Sequence, residues 1–327
     1  MTRRVLFHPA GRGLVPALER ALEARGLAFR PLDATVSREE LAATGLACIV
    51  WFYMPLRHPL AAWRLRRKLA ACGVPLIAWN RDAPHYLNRA AWRLDLLDRF
   101  RLLDLYATHT LIDERRTFAD LVLYLPNAAD VARYTLRGAA AGELLRLRDP
   151  AGYRRDVSFF GGMDGRRYKE DAARAGFFAA LAERLDARGI RHCFREAEGL
   201  SADEQVDFIQ SSRINLNFGA RCEYGAAVAS GLPERCYGIP ASGGFLLCDR
   251  RTHARDDFTP PENWAEFDGL DDCVARIVHW LAHFDAARDL AERCYHHVMT
   301  HHTYARRAEK LHEALLAWHK GKRGRIL

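Results

Sequence analysis

The sequence predicts an α/β protein built from two doubly wound parallel sheets with helices on both faces. Three observations carry this expectation. Short apolar, β-branched or aromatic runs alternate with longer helix-like stretches along the whole chain. The strand runs are apolar almost without break, as strands covered on both faces are, instead of alternating with polar residues. The alternation is interrupted once and then restarts, so that 327 residues fall into two parts of ordinary domain size.

In the first part the predicted strands are Val5–His8, Phe29–Leu32, Cys48–Tyr53, Pro75–Asn80, Leu105–His109 and Leu121–Pro126. Amphipathic stretches separate them, such as Leu14–Arg25 with Leu14, Ala17, Leu18, Ala21 and Leu22 at helical spacing. Between Gly138 and Arg154 the chain is rich in Ala and Gly, then charged, with Asp149-Pro150 as a breaker, and reads as a linker. The expected domains are therefore 1–150 and 151–327. In the second part the strands are Val157–Gly162, Ile190–Arg195, Arg213–Gly219, Gly244–Asp249 and Ala265–Asp268. A final helix runs from Thr303 to about Lys320, with Ala305, Ala308, Leu311, Ala314, Leu315 and Trp318 on one face. The segment of about 303–327 is expected to pack back towards the first domain.

With 49% hydrophobic and 28% charged residues the chain is globular, which excludes disordered, collagen-like and coiled-coil classes. Its net charge of +8 is unevenly placed: residues 1–150 hold 23 basic and 15 acidic side chains, and residues 151–327 hold 26 of each. No signal-peptide pattern and no run of about 20 apolar residues occurs, so a cytoplasmic location is expected. The 8 cysteines are scattered without a C-x-x-C pair and read as reduced core thiols.

Ligands of doubly wound sheets bind beyond the carboxyl ends of the strands. In the first domain those ends carry His8 to Gly13, Tyr53-Met54-Pro55 and Asn80 to His85. In the second they carry Gly161 to Lys169, Asn217-Phe218-Gly219 and the turn from Ser230 into Arg235, so two domains would face each other across a cleft. The turn after Phe160 holds Gly161, Gly162 and Gly165, then Arg166, Arg167 and Lys169. Glycines let backbone N–H groups approach a phosphate and the cations neutralise it, although this is neither a G-x-G-x-x-G nor a Walker A pattern.

Four stretches in order resemble the C-terminal domain of the group 1 glycosyltransferases, in the variant found in spore-maturation CgeB-like proteins. They are Tyr124-Leu-Pro-Asn-Ala-Ala-Asp130, similar to the start of the hinge, and Asp156-Val-Ser-Phe-Phe-Gly-Gly162, similar to the first strand and turn. The third is Gly231-Leu-Pro-Glu-Arg-Cys-Tyr-Gly-Ile-Pro-Ala-Ser-Gly-Gly-Phe-Leu-Leu-Cys-Asp249, and the last is His302-Thr-Tyr-Ala-Arg-Arg-Ala-Glu-Lys-Leu311. The resemblance implies a GT-B enzyme of two Rossmann-like domains that moves a sugar from a nucleotide donor. The donor would be held mainly by the C-terminal domain, and no metal or other cofactor would be required.

Carried over position by position, Arg166, Lys169 and Arg235 are expected donor-binding residues, and Gly161, Gly162 and Asn217 at the strand ends and Glu234 complete the expected donor set. Arg166 and Lys169 would stabilise charge growing on the leaving diphosphate. Where the family usually has a Glu that holds the ribose, this sequence has Gly238, and the partner position of the Glu-x7-Glu signature is Ser230. Glu234 lies one helical turn (about 6 Å) before Gly238 and is the expected substitute.

On the acceptor side Asp82, His85 and His8 are the candidate catalytic residues. An Asp–His pair could deprotonate an acceptor hydroxyl, or orient it in the retaining reaction that the resemblance favours. The basic excess gathers around Trp63 (Arg57, Arg64, Arg66, Arg67, Lys68) and around Trp92 (Arg89, Arg93, Arg99, Arg101). Arg64, Arg67 and Arg93 are the residues expected to meet a phosphate-bearing acceptor or an anionic membrane surface, with peripheral attachment at the inner membrane face. Nucleic acid is not an expected partner. The cluster His296, His297, His301 and His302 lacks carboxylates or thiols at ligand spacing apart from Cys294, and no metal is assigned to it.

The expected function is thus transfer of a sugar from a nucleotide-sugar to a glycan, lipid-linked or protein acceptor of a surface-glycan pathway. The rival readings are a nucleotide-sugar epimerase or hydrolase, and a catalytically inactive GT-B module that binds or scaffolds.

Overall fold

The computed structural model describes residues 3–9, 15–51, 54–81, 91–109, 117–163, 169–219 and 231–321, with the backbone alone at 91, 93, 94 and 169–172. The chain forms two compact units, one of Met1–Pro126 with Tyr304–Leu327 and one of Asn127–Thr303.

In the first unit β1 (Val5–His8), α1 (Pro16–Glu23), β2 (Ala28–Pro31), α2 (Arg38–Thr44), β3 (Gly45–Trp51), α3 (Met54–Arg57) and α4 (Pro59–Ala70) follow in order. Then come β4 (Leu76–Asn80), α5 (Ala91–Arg99), β5 (Leu103–Thr108) and β6 (Ala119–Tyr124). The strands form one parallel sheet in the order β2-β1-β3-β4-β5-β6. Every residue of β4 and β5 is buried, and so is β3 up to Val50, which is why these runs are mainly apolar, with Asn80, Asp104 and Thr108 as buried polar exceptions. Pro16 starts α1 at a position where its missing N–H costs nothing, and Ala17, Leu18 and Leu22 face inward.

The second unit contains α6 (Ala140–Arg146), β7 (Arg155–Phe160), α7 (Lys169–Asp186), β8 (His192–Arg195), α8 (Ala202–Gln210) and β9 (Ser212–Asn217). It continues with α9 (Arg235–Ala241), β10 (Leu246–Asp249), α10 (Ala254–Asp257), β11 (Ala265–Phe267), α11 (Gly269–Ala282) and α12 (Phe284–His301). Its parallel sheet has the order β11-β10-β9-β7-β8. Val157 and Phe159 pack on one face with Phe178, Leu181 and Leu185 of α7 and Ile277 of α11. Phe160 packs on the other with Phe208 of α8, Ile239 of α9 and Val298 of α12. Each such side chain contributes about 1.5–3 kcal/mol by leaving water.

The stretch read as a linker is packed instead. Leu136, Leu144, Leu147 and Tyr153 form a small core with Tyr295 of α12, so these residues belong to the second unit. The last helix, α13 (Tyr304–His319), belongs to the first unit and packs on α1. Its buried stripe is Tyr304, Arg307, Ala308, Leu311, Ala314 and Leu315, and Ala305 is exposed because it stands one residue off the 3.6-residue period. No described helix is long and apolar enough to cross a membrane.

Candidate functional site

Strand order locates the ligand crevice of each unit. A doubly wound sheet opens where the chain reverses its direction across the strands. In the second unit that point lies between β7 and β9, and in the first between β1 and β3. Of the predicted donor residues, Gly161 and Gly162 follow β7 directly and Asn217 ends β9.

Arg235, in the first turn of α9, reaches the end of β7. Its Nη1 donates to the Phe160 carbonyl at 2.8 Å, and its guanidinium lies 5.1 Å from the centroid of the Phe159 ring. A Cβ at 161 would fall against that guanidinium and that ring, so any other residue there would have to displace Arg235 or Phe159. The structure therefore brings Gly161, Gly162 and Arg235 together. Arg166 lies outside the described residues, and Lys169 begins α7 with only its backbone described.

The four resembling stretches meet around this point. Asn127, buried in the first stretch, donates from Nδ2 to the carbonyl of Leu232 in the third at 3.0 Å. Ala129 N donates to the carbonyl of His302 in the fourth at 2.8 Å. The His302 ring lies 5.7 Å from that of Tyr237, in the third. Gly238, one turn into α9, is covered by the ring of Tyr134. Burial raises the Tyr134 phenol above its ordinary range, so it stays neutral. Glu234 is half-buried at the start of α9, where its carbonyl accepts from Gly238 N at 2.9 Å. A carboxylate there also suits the positive end of the helix.

Two buried arginines that the sequence pattern does not single out hold the rim. Arg174, on α7, donates to the carbonyls of Gly162 (2.6 Å), Phe218 (2.9 Å) and Gly219 (2.7 Å), tying the loop after β7 to the loop after β9. Arg251 is fully buried and grips Asp249 with Nε and Nη2 at 3.0 and 2.9 Å, while Nη1 donates to the Gly231 carbonyl at 2.7 Å. Asp249 in turn accepts from Asn217 Nδ2 at 2.8 Å and from Gly219 N at 3.0 Å. Asn217 is fully buried, so its amide fixes Asp249 and the loop beside it. For Arg174 the sequence does carry a signal: it stands at i−4, i−7 and i−11 from the buried Phe178, Leu181 and Leu185, a core position occupied by a charge.

In the first unit His8 ends β1 at the switch point, half-buried, with Nδ1 3.1 Å from the Pro9 carbonyl. Asp82 and His85 lie outside the described residues. Arg64 and Arg67 are exposed on α4, the latter 4.9 Å over the Trp63 ring, and Arg93 lies on α5 with its side chain not described.

The histidine cluster has structural partners. His297 Nε2 lies 2.6 Å from the Asp257 carbonyl and 3.1 Å from His302 Nε2, and Tyr237 Oη donates to Asp257. No group of three or more His, Cys, Asp or Glu side chains able to hold a metal occurs among the described residues. The seven described cysteines are free, and all but Cys193 are buried. Burial and the neighbouring Cys236 push the Cys248 thiol well above its ordinary range.

Residues 151–313 match the family model described as "Glycosyl transferase-like". The chain is similar in structure to sucrose-phosphate synthase (tll1590) from Thermosynechococcus elongatus, with a TM-score of 0.63 at 12% identity, covering 98% of this chain and 100% of that one. It is similar to Alr3699/HepE of Anabaena, whose structure is a complex with UDP (TM-score 0.59, 9% identity, 96% of this chain and 100% of that one). It also resembles α,α-trehalose 6-phosphate synthase from Burkholderia multivorans (TM-score 0.58, 12% identity, 98% and 100%). No curated protein sequence matches the chain. Two parallel α/β sheets with these neighbours define the GT-B fold. The family model matched over residues 151–313 is what gives the chain its class, a glycosyltransferase.

Proposed function

We propose that the protein transfers a sugar from a nucleotide-sugar, bound at the β7–β9 switch point of the second unit, to an acceptor engaged by the first. The observation that carries this is the convergence of Gly161, Gly162 and Arg235 at the one place where a doubly wound sheet opens. Support comes from HepE of Anabaena, which has also been determined with UDP-glucose. In this reading the backbone of the glycine turn and the positive start of α7 face the donor diphosphate. Arg166, Lys169 and Arg235 supply fixed positive charge as the bond from the sugar to the β-phosphate breaks and the leaving diphosphate becomes more negative. Glu234 takes the ribose in place of a residue at 238.

On the first unit His8, Asp82 and His85 hold or orient the acceptor hydroxyl, and the transfer is retaining. The acceptor is a glycan, most simply one carried on lipid in a surface-glycan pathway. The basic face of that unit, with Arg64, Arg67 and Arg93 around Trp63 and Trp92, then rests on an anionic membrane. No metal is required, so EDTA leaves turnover unchanged.

Incubation with a panel of nucleotide-sugars, followed by nucleotide release and by thermal shift, tests the proposal. One nucleotide should stabilise the protein, and Arg166→Ala with Lys169→Ala should abolish release. Stabilisation by none would sink it. The Tyr134 ring over Gly238 favours one alternative, a nucleotide-binding module without transfer. That reading would be recognised by stabilisation without release for every acceptor offered, and by cellular function that survives both substitutions.

A further inference from the structure

Eight large apolar side chains stand exposed among the described residues, and five of them are Leu60, Trp63, Trp92, Leu96 and Phe100. All five lie on α4, on α5 or directly after it. Trp92, Leu96 and Phe100 are spaced i, i+4, i+8, which makes a single row along α5. Leu60 and Trp63 stand at i, i+3 on α4. The two helices meet at an apolar groove of about 310 Å³ lined by Pro59, Leu60, Trp63, Leu97, Phe100 and Leu102. Scattered single exposures need no explanation, but a contiguous apolar row beside an open groove marks an interaction site.

The charge around it is positive in balance, Arg93, Arg99 and Arg101 standing against Asp95 and Asp98 on and just after α5, and it is undiluted on α4. Residues 54–70 contain five basic side chains and no acidic one. Only Arg66 among them is turned inward, onto Asp104 at 2.8 Å and Asp120. Arg64 and Arg67 share the outer face of α4 with Leu60 and Trp63. The whole first unit carries 26 basic against 14 acidic side chains, and the second 23 against 27. A second copy of this chain would set one cationic face against another, which like-charge repulsion opposes. An anionic bilayer meets both features, because its acyl region accepts the apolar row and its phosphates accept the guanidinium groups.

We propose that the α4–α5 face is a docking surface for an anionic bilayer. Leu60, Trp63 and Phe100 enter the acyl boundary, and Arg64 and Arg67 lie at the headgroup phosphates. This deepens the reading of a membrane-borne acceptor and rests on it, since it names where the first unit meets the membrane.

The test is flotation of the full chain with vesicles of phosphatidylcholine containing phosphatidylglycerol, against vesicles of phosphatidylcholine alone. Binding should require the anionic lipid. Leu60→Ser with Phe100→Ser should weaken it at least about tenfold, given the apolar area withdrawn. Arg64→Gln with Arg67→Gln should weaken it roughly thirtyfold, at about fivefold per charge. Nucleotide-induced thermal shift, which reports the second unit, serves as the control for folding. No binding to either vesicle, binding that survives the Leu60 and Phe100 substitutions, or a dimer in sedimentation equilibrium that those substitutions dissociate would each overturn the proposal. If vesicles are not bound while nucleotide still is, only the docking surface fails. If vesicles are bound while no nucleotide is, the transferase reading fails instead.

Discussion

The ring of Tyr134 occupies the space into which a side chain at Gly238 would project. A Cβ at 238 would come within 2.7 Å of Tyr134 Cγ and Cδ2. The ring is itself held in place, buried, with its hydroxyl donating to Gln205 Oε1 at 3.2 Å. The same oxygen accepts from Arg133 Nη2 at 2.7 Å. Position 238 therefore has no room for the ribose-binding carboxylate that the family resemblance implies there, and a single Gly238→Glu change cannot restore it. That substitution should cost about 2–4 kcal/mol in urea unfolding, because it overpacks the site and buries a charge. Tyr134→Ala should relieve part of this, so the double variant should fall short of the sum of the singles by more than about 0.5 kcal/mol. Additive losses would refute the pairing.

Arg251 and Asp249 form a second dependent pair. Arg251→Met leaves the Asp249 carboxylate without its cation and the Gly231 carbonyl without its donor. The expected loss is about 3–5 kcal/mol. Adding Asp249→Asn removes the stranded charge and should recover a measurable part of it. A double variant no more stable than Arg251→Met alone would show that the pair is not coupled.

Arg235→Lys tests the donor site without unfolding it. Lysine cannot both reach the Phe160 carbonyl and lie over the Phe159 ring as the planar guanidinium does. Nucleotide affinity measured by calorimetry should fall roughly tenfold to a hundredfold. Gly161→Ala should produce the same loss by displacing Arg235 while leaving its charge present. Unchanged affinity in both variants would remove Arg235 from the donor site.

Acid should loosen the first unit through α13. Burial, with the charge of Arg25 adding to it, holds His312 below its ordinary value. Burial and Arg3 do the same for His319, only partly opposed by its Nε2–H bond to the Leu46 carbonyl at 2.7 Å. Both histidines thus bind protons more readily in the unfolded chain than in the folded one. Their contribution is complete above the unfolded value of about 6.5 and is lost as the pH falls through the lowered folded values. Thermal stability should drop below pH 6.5, and His312→Leu with His319→Gln should flatten that drop. An unchanged slope would rule out these two groups as its source.

All eleven strands among the described residues lie within runs that the sequence marks as strands or next to them; for the central ones burial on both faces writes a continuous apolar signal, while β2 and β8, half-exposed at the sheet edges, show through the alternation with helices. Helix α13 is legible from its helical period, although Ala305 falls outside its buried stripe. The role of residues 138–154 is not legible, because Leu144, Leu147 and Tyr153 bury against Tyr295, far along the chain, and leave no local period. The glycine turn and Arg235 could be picked out as site candidates, since strand ends in an alternating pattern mark the crevice. Arg251 could not, because a charged side chain reads as surface until the carbonyl and carboxylate that hold it are seen, whereas Arg174 is betrayed by its place on the buried face of α7. The Tyr134 ring over Gly238 is invisible for a similar reason: contact between distant positions has no signature in a single chain.

The division of the first unit into Met1–Pro126 and Tyr304–Leu327 sets an order of events on the ribosome. Its six strands emerge first, but α13, which covers α1 and anchors to Leu46 through His319, emerges only after the entire second unit. At ordinary rates of synthesis that is a wait of roughly 10 to 35 seconds. During that interval α1 lacks the α13 side of its packing. The first unit to be made is therefore the last to close, and an early stop codon anywhere in the second unit would leave its sheet without that cover.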